Sequence, residues 1–277
     1  MFRLLTIEFH KLKHNRASRI LIIIYFTLIT LIALIAAIRF DIGPIEFHLA
    51  EMGIFNFPYI WHFNTFMAAL LKFFLLLVIV SMMANEYSYK TLKQNLIDGL
   101  SKKEFILSKF YTVVVFALVS TVFIFVVSLI LGLIYSDYNE ISIIISDVEY
   151  LGAYFIKLVG FFSMGLFFGI LVKRSAFAVG AMIIYFMIEF FSYIFIVARN
   201  RDQELADSIY QFLPFKSMWN LIEEPFSRLG AVRSVANQVG EQFTKSYDVE
   251  ILDVTIVSVW TFIFIYSSYA LLKKRDL

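Results

Sequence analysis

The feature that most constrains the fold of this chain is a series of uninterrupted apolar blocks, each about 20 residues long, the length that crosses the hydrocarbon core of a bilayer. Hydrophobic residues make up 60% of the 277 positions, well above their share in a soluble domain. The blocks are continuous and do not alternate with polar residues, which indicates helices. We therefore predict an all-α polytopic membrane protein with one transmembrane domain over residues 1–277. The six predicted spans are 20–38, 61–84, 110–135, 151–172, 175–197 and 251–272.

Lysine and arginine residues cluster in alternate connections between these blocks. They occur in residues 1–19, in the loop 85–109, at 173–174 and at the C-terminus, whereas the loop 136–150 contains none. Because short basic loops are retained on the cytoplasmic side, we predict that both termini and the loop 85–109 face the cytoplasm. The long loop 198–250 then lies outside, since long loops cross the membrane largely regardless of their charge.

Two segments outside the spans are predicted to contact the membrane surface. In residues 1–19, Leu5, Phe9 and Leu12 recur at helical spacing, which predicts an amphipathic helix among the lipid headgroups. The outer loop 198–250 contains SIYQFLPFKSMWNLIEEP, an apolar stretch that is too short to cross and is interrupted by prolines. It is either a re-entrant segment or a helix on the outer face. The same loop is a candidate site for an extracytoplasmic partner.

The sequence carries no motif for catalysis or cofactor binding. It lacks the G-x-x-x-x-G-K-[ST] loop that cradles nucleotide phosphates, the G-x-S-x-G and H-E-x-x-H motifs, and any cysteine. We therefore expect a non-enzymatic membrane subunit that holds no cofactor or metal of its own and binds no nucleic acid.

Three charged residues fall inside predicted spans: Lys72 near the middle of the second, Lys157 in the fourth and Glu189 in the fifth. A charge near the bilayer centre costs about 2.5–3.5 kcal/mol on insertion scales, so none is expected to face lipid. If the spans are neighbours, Glu189 is deep enough to reach either lysine. The charges are either polar points on a translocation path or subunit interface, or a structural ion pair between helices.

The loop 85–109 is polar, basic and compatible with helix. Ser101 followed by Glu104 is a capping box, which predicts that the helix of the third span begins there. Gly99 suits the turn before it. Leu92, Leu96 and Leu100 share one helical face, which predicts a short amphipathic helix within residues 85–100 on the cytoplasmic surface, with a turn at Asp98-Gly99. From these residues alone, that helix could simply rest on the lipid headgroups.

This loop resembles the cytoplasmic loop of type-2 ABC transporter permeases, the membrane subunits of bacterial ABC exporters. The resemblance is carried by Glu86, Thr91, Leu92, Gly99, Ser101, Lys102, Lys103 and Lys109. Lys90 and Ser108 depart from it, because glycine is usual at both positions in that family. The N-terminal segment is also similar to the family's amphipathic helix, with an E-x-x-K-L pattern at Glu8, Lys11 and Leu12.

The resemblance implies a bacterial cytoplasmic-membrane permease, acting as a homodimer and driven by a separate ATPase that binds ATP and magnesium. It implies that the loop 85–109 contains a coupling helix that docks on this ATPase. The residues assigned to docking are Glu86, Thr91, Leu92, Leu96 and Gly99. The Ser101–Glu104 box, with Lys103 inside it, is assigned to transmitting motion into the third span.

Two other functions remain open at this point. One is an ion-coupled secondary transporter, which is expected to show inverted repeats and broken helices. The other is a membrane scaffold or force-transmitting subunit that supports an extracytoplasmic protein machine. The transported substrate is also open, although the strongly apolar spans favour an amphipathic or lipidic one.

Overall fold

The chain folds into a bundle of membrane-spanning helices. The computed structural model describes residues 2–37, 40–42, 45–47, 53–200, 202–229, 232 and 247–275. Its helices are α1 (Phe2–His14), α2 (Arg16–Ala37), α3 (Tyr59–Leu70), α4 (Lys72–Ser88), α5 (Thr91–Ile97), α6 (Lys102–Tyr135), α7 (Ile141–Ile145), α8 (Glu149–Val172), α9 (Ser175–Asn200), α10 (Gln203–Tyr210), α11 (Pro214–Asn220) and α12 (Ile251–Lys273). Within these described residues, five helices are long and apolar enough to cross a membrane. The bent pair α3–α4 adds a sixth if it is counted as one span, so the structure gives five or six spans where the sequence predicts six.

Short elements that the sequence did not predict occur in the connections after α2 and after α11. Strands β1 (Phe40–Ile42) and β2 (Ile45–Phe47) pair antiparallel after α2. The 3₁₀ helix Phe226–Arg228 follows α11. The end of the first predicted span at Ile38 and residues 233–246 of the predicted outer loop lie outside the described residues.

The second span is not the single helix that the sequence predicts. It is broken at Leu71, where α3 and α4 meet at an angle of 45°. The Leu71 N–H bonds to the Ala68 carbonyl and the Phe74 N–H to the Leu71 carbonyl, so bonds three residues apart replace the regular ladder. No proline or glycine marks this break, which explains why the prediction of a continuous helix over 61–84 was wrong.

Helix α8 forms the centre of the bundle and packs against α4, α6, α9 and α12. Close approach depends on glycine, because a Cβ atom added at Gly165 would lie 2.4 Å from Leu76 Cδ1. A Cβ atom at Gly169 would lie 3.1 Å from Met83 Cβ. The G-x-x-x-G pattern of α8 therefore packs against α4 of the same chain.

The loop 85–109 contains two helix ends and one short helix. Helix α4 continues through Glu86 to Ser88, so the independent helix is limited to α5, which is shorter than the predicted stretch. Lys90 adopts a left-handed conformation with φ 56°, and Gly99 follows α5 with φ 94°. Ser101 then caps α6: its Oγ accepts the Glu104 N–H at 3.2 Å, and Glu104 accepts the Ser101 N–H at 2.9 Å. The predicted capping box is confirmed.

Candidate functional site: a buried charge network beneath the loop 85–109

Four charged residues meet beneath the loop 85–109, and we call them the charge network: Glu8, Lys11, Glu86 and Lys109. Lys109 Nζ donates to Glu8 Oε2 at 2.5 Å and to Glu86 Oε1 at 2.6 Å. Lys11 Nζ donates to Glu86 Oε1 at 2.8 Å and lies 3.7 Å from Glu8 Oε1. Two ammonium groups therefore balance two carboxylates within one compact cluster.

Most of the charge network is excluded from water. The Lys109 side chain is 0% exposed, and those of Glu8 and Glu86 are 4% and 3% exposed, whereas Lys11 is 34% exposed. Burying such charges costs several kcal/mol per ion unless each finds partners, and here each carboxylate has an ammonium partner within 3 Å. The Phe105 ring, with its centroid 5.1 Å from Lys109 Nζ, adds a cation–π contact.

The charge network joins three helices of the chain and holds a fourth, α5, by hydrogen bonds. Glu8 and Lys11 belong to α1, Glu86 to the end of α4 and Lys109 to the start of α6. Helix α5 is attached through Thr91, whose Oγ1 donates to Glu86 Oε2 at 2.6 Å. Asn95 Nδ2 donates to the same oxygen at 3.4 Å. A displacement of α5 must therefore move Glu86 or break its hydrogen bonds.

The residues assigned to docking are split between the inside and the surface of the protein. Glu86 and Leu92 are each 2% exposed, and Thr91 hydrogen-bonds to Glu86, so these three hold α5 against the bundle. Leu96 is partly buried. Gly99 is exposed, and a Cβ atom added there would meet nothing within 4 Å. In the capping box, Ser101, Lys103 and Glu104 are exposed.

The exposed face of the loop consists of residues that were not singled out from the sequence. Tyr89 is 72% exposed and Ile97 is 69% exposed, and the exposed Lys93 lies between them. Their spacing of four places Lys93 and Ile97 on one side of α5. We call Tyr89, Lys93 and Ile97 the loop surface. In the sequence, the sign of this exposed face is that large apolar residues recur in an otherwise polar loop.

The C-terminal segment lies on the same side of the bundle as the charge network. Lys102 Nζ donates to the Arg275 carbonyl at 2.8 Å. The Arg275 guanidinium donates to the Ile170 carbonyl at 2.6 Å and to the Tyr87 hydroxyl at 3.1 Å. The last turn after α12 is therefore tied to the ends of α4 and α8 and to the start of α6, on the side where α1 also packs.

The three charges inside the spans do not pair with one another, so the ion pair between helices, one of the two interpretations that the sequence left open, is not formed. The Glu189 carboxylate accepts the Phe215 N–H at 3.1–3.2 Å, at the start of α11. Lys157 Nζ donates to the Ile222 carbonyl at 3.3 Å. Lys72 Nζ lies 4.6 Å from the centroid of the Phe161 ring. Backbone groups of Phe215 and Ile222 therefore bind two of these three charges, and no charge on a neighbouring span does so.

These contacts also place the apolar stretch of the outer loop. Helix α11 packs against α8 and α12, its Phe215 N–H donates to Glu189, and the centroid of its Trp219 ring lies 5.7 Å from Lys157 Nζ; both charged residues belong to membrane-spanning helices. Tyr210 and Trp219 face a cavity that α4 and α9 also line. This arrangement fits a re-entrant segment better than a helix lying on the outer membrane face.

A second polar cluster lies at the opposite end of the bundle, around Arg228. Its guanidinium contacts Asp147 Oδ2 at 3.0 Å and His62 Nδ1 at 3.1 Å. The His62 ring stacks on Tyr150 with centroids 4.1 Å apart. Arg228 therefore ties the 3₁₀ helix of the outer loop to α3 and to the start of α8.

Comparison with known proteins agrees with this architecture. No curated protein matches the sequence. The family model described as ABC-2 family transporter protein matches residues 4–189, from α1 into α9. That range includes the whole charge network, the loop surface and the broken second span. Because the match covers more than half of the chain, the protein belongs to the ABC-2 family of transporters and is a membrane permease of the ABC type.

Proposed function

We propose that this permease is driven by a separate cytoplasmic ATPase that docks on the loop 85–109. The charge network is the observation that carries the proposal. It joins α5 to α1, α4 and α6 through Glu86, so a push on a seven-residue surface helix reaches two membrane-spanning helices. A loop helix that merely rested on lipid would have no need for buried, multiply bonded charges, because their desolvation is costly.

Within this proposal, the residues of the loop divide into two roles. The loop surface (Tyr89, Lys93 and Ile97) contacts the ATPase, with Gly99 and Lys103 at its edge. Glu86, Thr91 and Leu92 act as positioning residues that hold α5, and Leu96 packs beside them. The Ser101–Glu104 box then begins α6 rigidly, so motion of the loop enters the third span without fraying its first turn.

The remaining parts of the assembly follow from the same proposal. ATP and magnesium bind to the ATPase, both termini of the permease lie in the cytoplasm, and the membrane is the bacterial cytoplasmic membrane. A second copy of the permease completes an export path. Helix α9 is a suitable contact for that copy, because it exposes a long row of large apolar side chains including Ile184, Phe191 and Phe195.

One observation favours a different class, the ion-coupled secondary transporter. The second span is discontinuous and Lys72 lies directly after the break, and half-helix ends of this kind form substrate and ion sites in secondary transporters. Another observation favours a scaffold that supports an extracytoplasmic partner. Arg228 fixes part of the outer loop to the bundle, which suits the transfer of force to a protein bound outside. Neither alternative requires an ATPase.

Co-purification tests the proposal. The permease is isolated in mild detergent from its native membrane, and associated proteins are identified by mass spectrometry. We expect an ABC ATPase in the wild-type sample and its loss from the Ile97→Asp variant. The matched control is Ile145→Asp, because Ile145 is 63% exposed at the other end of the bundle. An ATPase that is absent from all samples, or retained equally by both variants, would contradict the proposal.

A further inference from the structure

A cavity of about 490 Å³ opens on one side of the bundle, next to the break in the second span. Its walls come from the end of α3, the start of α4, α8, α9, the end of α10 and α11. Leu70, Phe73, Ile183, Phe186 and Trp219 line it, and each is 44–55% exposed. Because these side chains belong to or face membrane-spanning helices, the cavity opens sideways towards the lipid.

Lys72 gives this apolar cavity a positive charge. It is the first residue of α4 and lines the cavity, with its Nζ 4.6 Å from the Phe161 ring centroid. Among the residues that the structure describes, no carboxylate lies within 4.0 Å of Lys72 Nζ. A charge at this depth is costly without a counterion. An anionic group bound in the cavity would supply that counterion.

Lys216 lines the same cavity from the opposite wall. It belongs to α11, and its Nζ lies 5.9 Å from the centroid of the Tyr210 ring, another lining residue. The nearby carboxylate of Glu189 accepts the Phe215 N–H. The cavity is therefore lined by two lysines and a phenol, with aromatic and aliphatic side chains making up most of the rest.

We propose that this cavity binds an anionic amphiphile as the transported substrate. Its negatively charged group lies between Lys72 and Lys216, and its apolar chain packs along Phe73, Ile183 and Phe186. The charge of the cavity favours this occupant over a neutral lipid, and the apolar lining favours it over a free inorganic anion. Binding stands on the cavity alone, whereas its identification as a substrate rests on the proposed function.

Trp219 allows binding to be measured directly, because it lines the cavity and is 48% exposed. The purified permease in neutral detergent is titrated with phosphatidylglycerol brominated on its acyl chains, and with the matching phosphatidylcholine. Bromine quenches tryptophan fluorescence on contact, and a Trp219→Phe variant identifies the part of the signal that comes from the cavity. We expect the anionic lipid to quench Trp219 at the lower concentration.

Substitution of the two lysines tests the role of charge. We expect Lys72→Met and Lys216→Met each to weaken phosphatidylglycerol binding about fivefold, the effect of roughly one lysine–anion contact, and to leave phosphatidylcholine unchanged. The matched control is Lys13→Met, which removes an exposed lysine from α1, far from the cavity. Equal quenching by both lipids, or an equal loss in the control variant, overturns the proposal.

Two further measurements separate the alternatives. In the permease–ATPase complex, the lipid should stimulate ATP hydrolysis in the wild type and not in Lys72→Met. Binding without stimulation makes the occupant a resident lipid and overturns its assignment as substrate.

If a second copy fills the cavity, Trp219 is not quenched and a Phe73→Cys variant forms a disulfide-linked dimer, which the chain without native cysteine cannot form. Failure of either measurement leaves the co-purification result intact, so the proposed function is judged separately.

Discussion

Lys109 of α6 donates to Glu86 of α4 across 2.6 Å, with its own side chain wholly excluded from water. The same ammonium group binds Glu8, so helices that begin and end on one side of the membrane share a single buried cation. Through Glu86, which also accepts a hydrogen bond from Thr91, this cation is one residue away from α5. Polar bonds of defined geometry therefore connect a surface helix to the bundle.

Removal of Lys109 should destabilise the permease strongly. Lys109→Met leaves Glu8 and Glu86 close together and buried without their main partner, and breaking a buried pair costs about 3–5 kcal/mol. Thermal unfolding in detergent measures the change. Lys103→Met, which removes an exposed lysine six positions earlier in α6, should remain within about 0.5 kcal/mol of wild type. Combining Lys109→Met with Glu86→Gln should cost less than the sum of the two, and simple additivity would contradict the network.

Loss of the cap on α6 should loosen the first turn of the third span. Ser101→Ala removes the oxygen that accepts the Glu104 N–H, and such caps contribute about 1 kcal/mol. We expect faster hydrogen exchange at the first amides of α6, with the middle of the helix unaffected. Lys103→Ala leaves the cap intact and is the control. Unchanged exchange in the Ser101→Ala variant would show that the capping box does not hold the helix start.

The packing of α8 on α4 should be sensitive to a single methyl group. Gly165→Ala places a Cβ atom 2.4 Å from Leu76 Cδ1, and overpacking of this kind costs about 1–3 kcal/mol. Gly152→Ala lies in the same helix, where nothing stands within 4 Å of the added Cβ atom. It should be neutral or stabilising by up to about 1 kcal/mol, because alanine is the better helix former. Equal melting temperatures for the two variants would contradict this packing.

The outer loop should detach locally when Arg228 is removed. Arg228→Met breaks the contacts to Asp147 and His62, which hold the 3₁₀ helix against α3 and the start of α8. Limited proteolysis from the outside should then cut near residues 226–229 faster, with little change in the overall melting temperature because the side chain is 23% exposed. Arg199→Met, which removes an exposed arginine near the end of α9, serves as the control. Unaltered cleavage in the Arg228→Met variant would count against the clamp.

Features that depend on local chemistry could be predicted from the sequence. The length of the apolar blocks gave the six spans, and the identities of Ser101 and Glu104 gave the start of α6. Cap chemistry and block length need only neighbouring residues. The pattern at Glu8 and Lys11 was also visible in the sequence, but not that these residues pair with Lys109 and Glu86.

Features that depend on distant contacts could not be predicted. Lys109 meets Glu8 from 101 positions away, and nothing in either segment specifies the other. The break at Leu71 contains no proline or glycine, so the local sequence gives no sign of the bend between α3 and α4. A pair between Glu189 and a lysine was one of two interpretations left open, and Glu189 instead accepts a backbone N–H, since any donor at the right depth satisfies a buried carboxylate. The amphipathic spacing of α5 picked out the face that carries Leu92. That face packs into the bundle, so the exposed loop surface on the other side was missed.

The most direct test of the account is a cross-link from the loop surface to the ATPase. Because the chain has no native cysteine, Ile97→Cys introduces a unique attachment point for a short photoactivated cross-linker in intact membranes. We expect Ile97→Cys to give an adduct with an ABC ATPase, in a yield that changes when ATP is added. We expect no adduct from Ile145→Cys. A cross-link from neither site, or the same product from both, would contradict the claim that this loop receives the stroke of an ATPase.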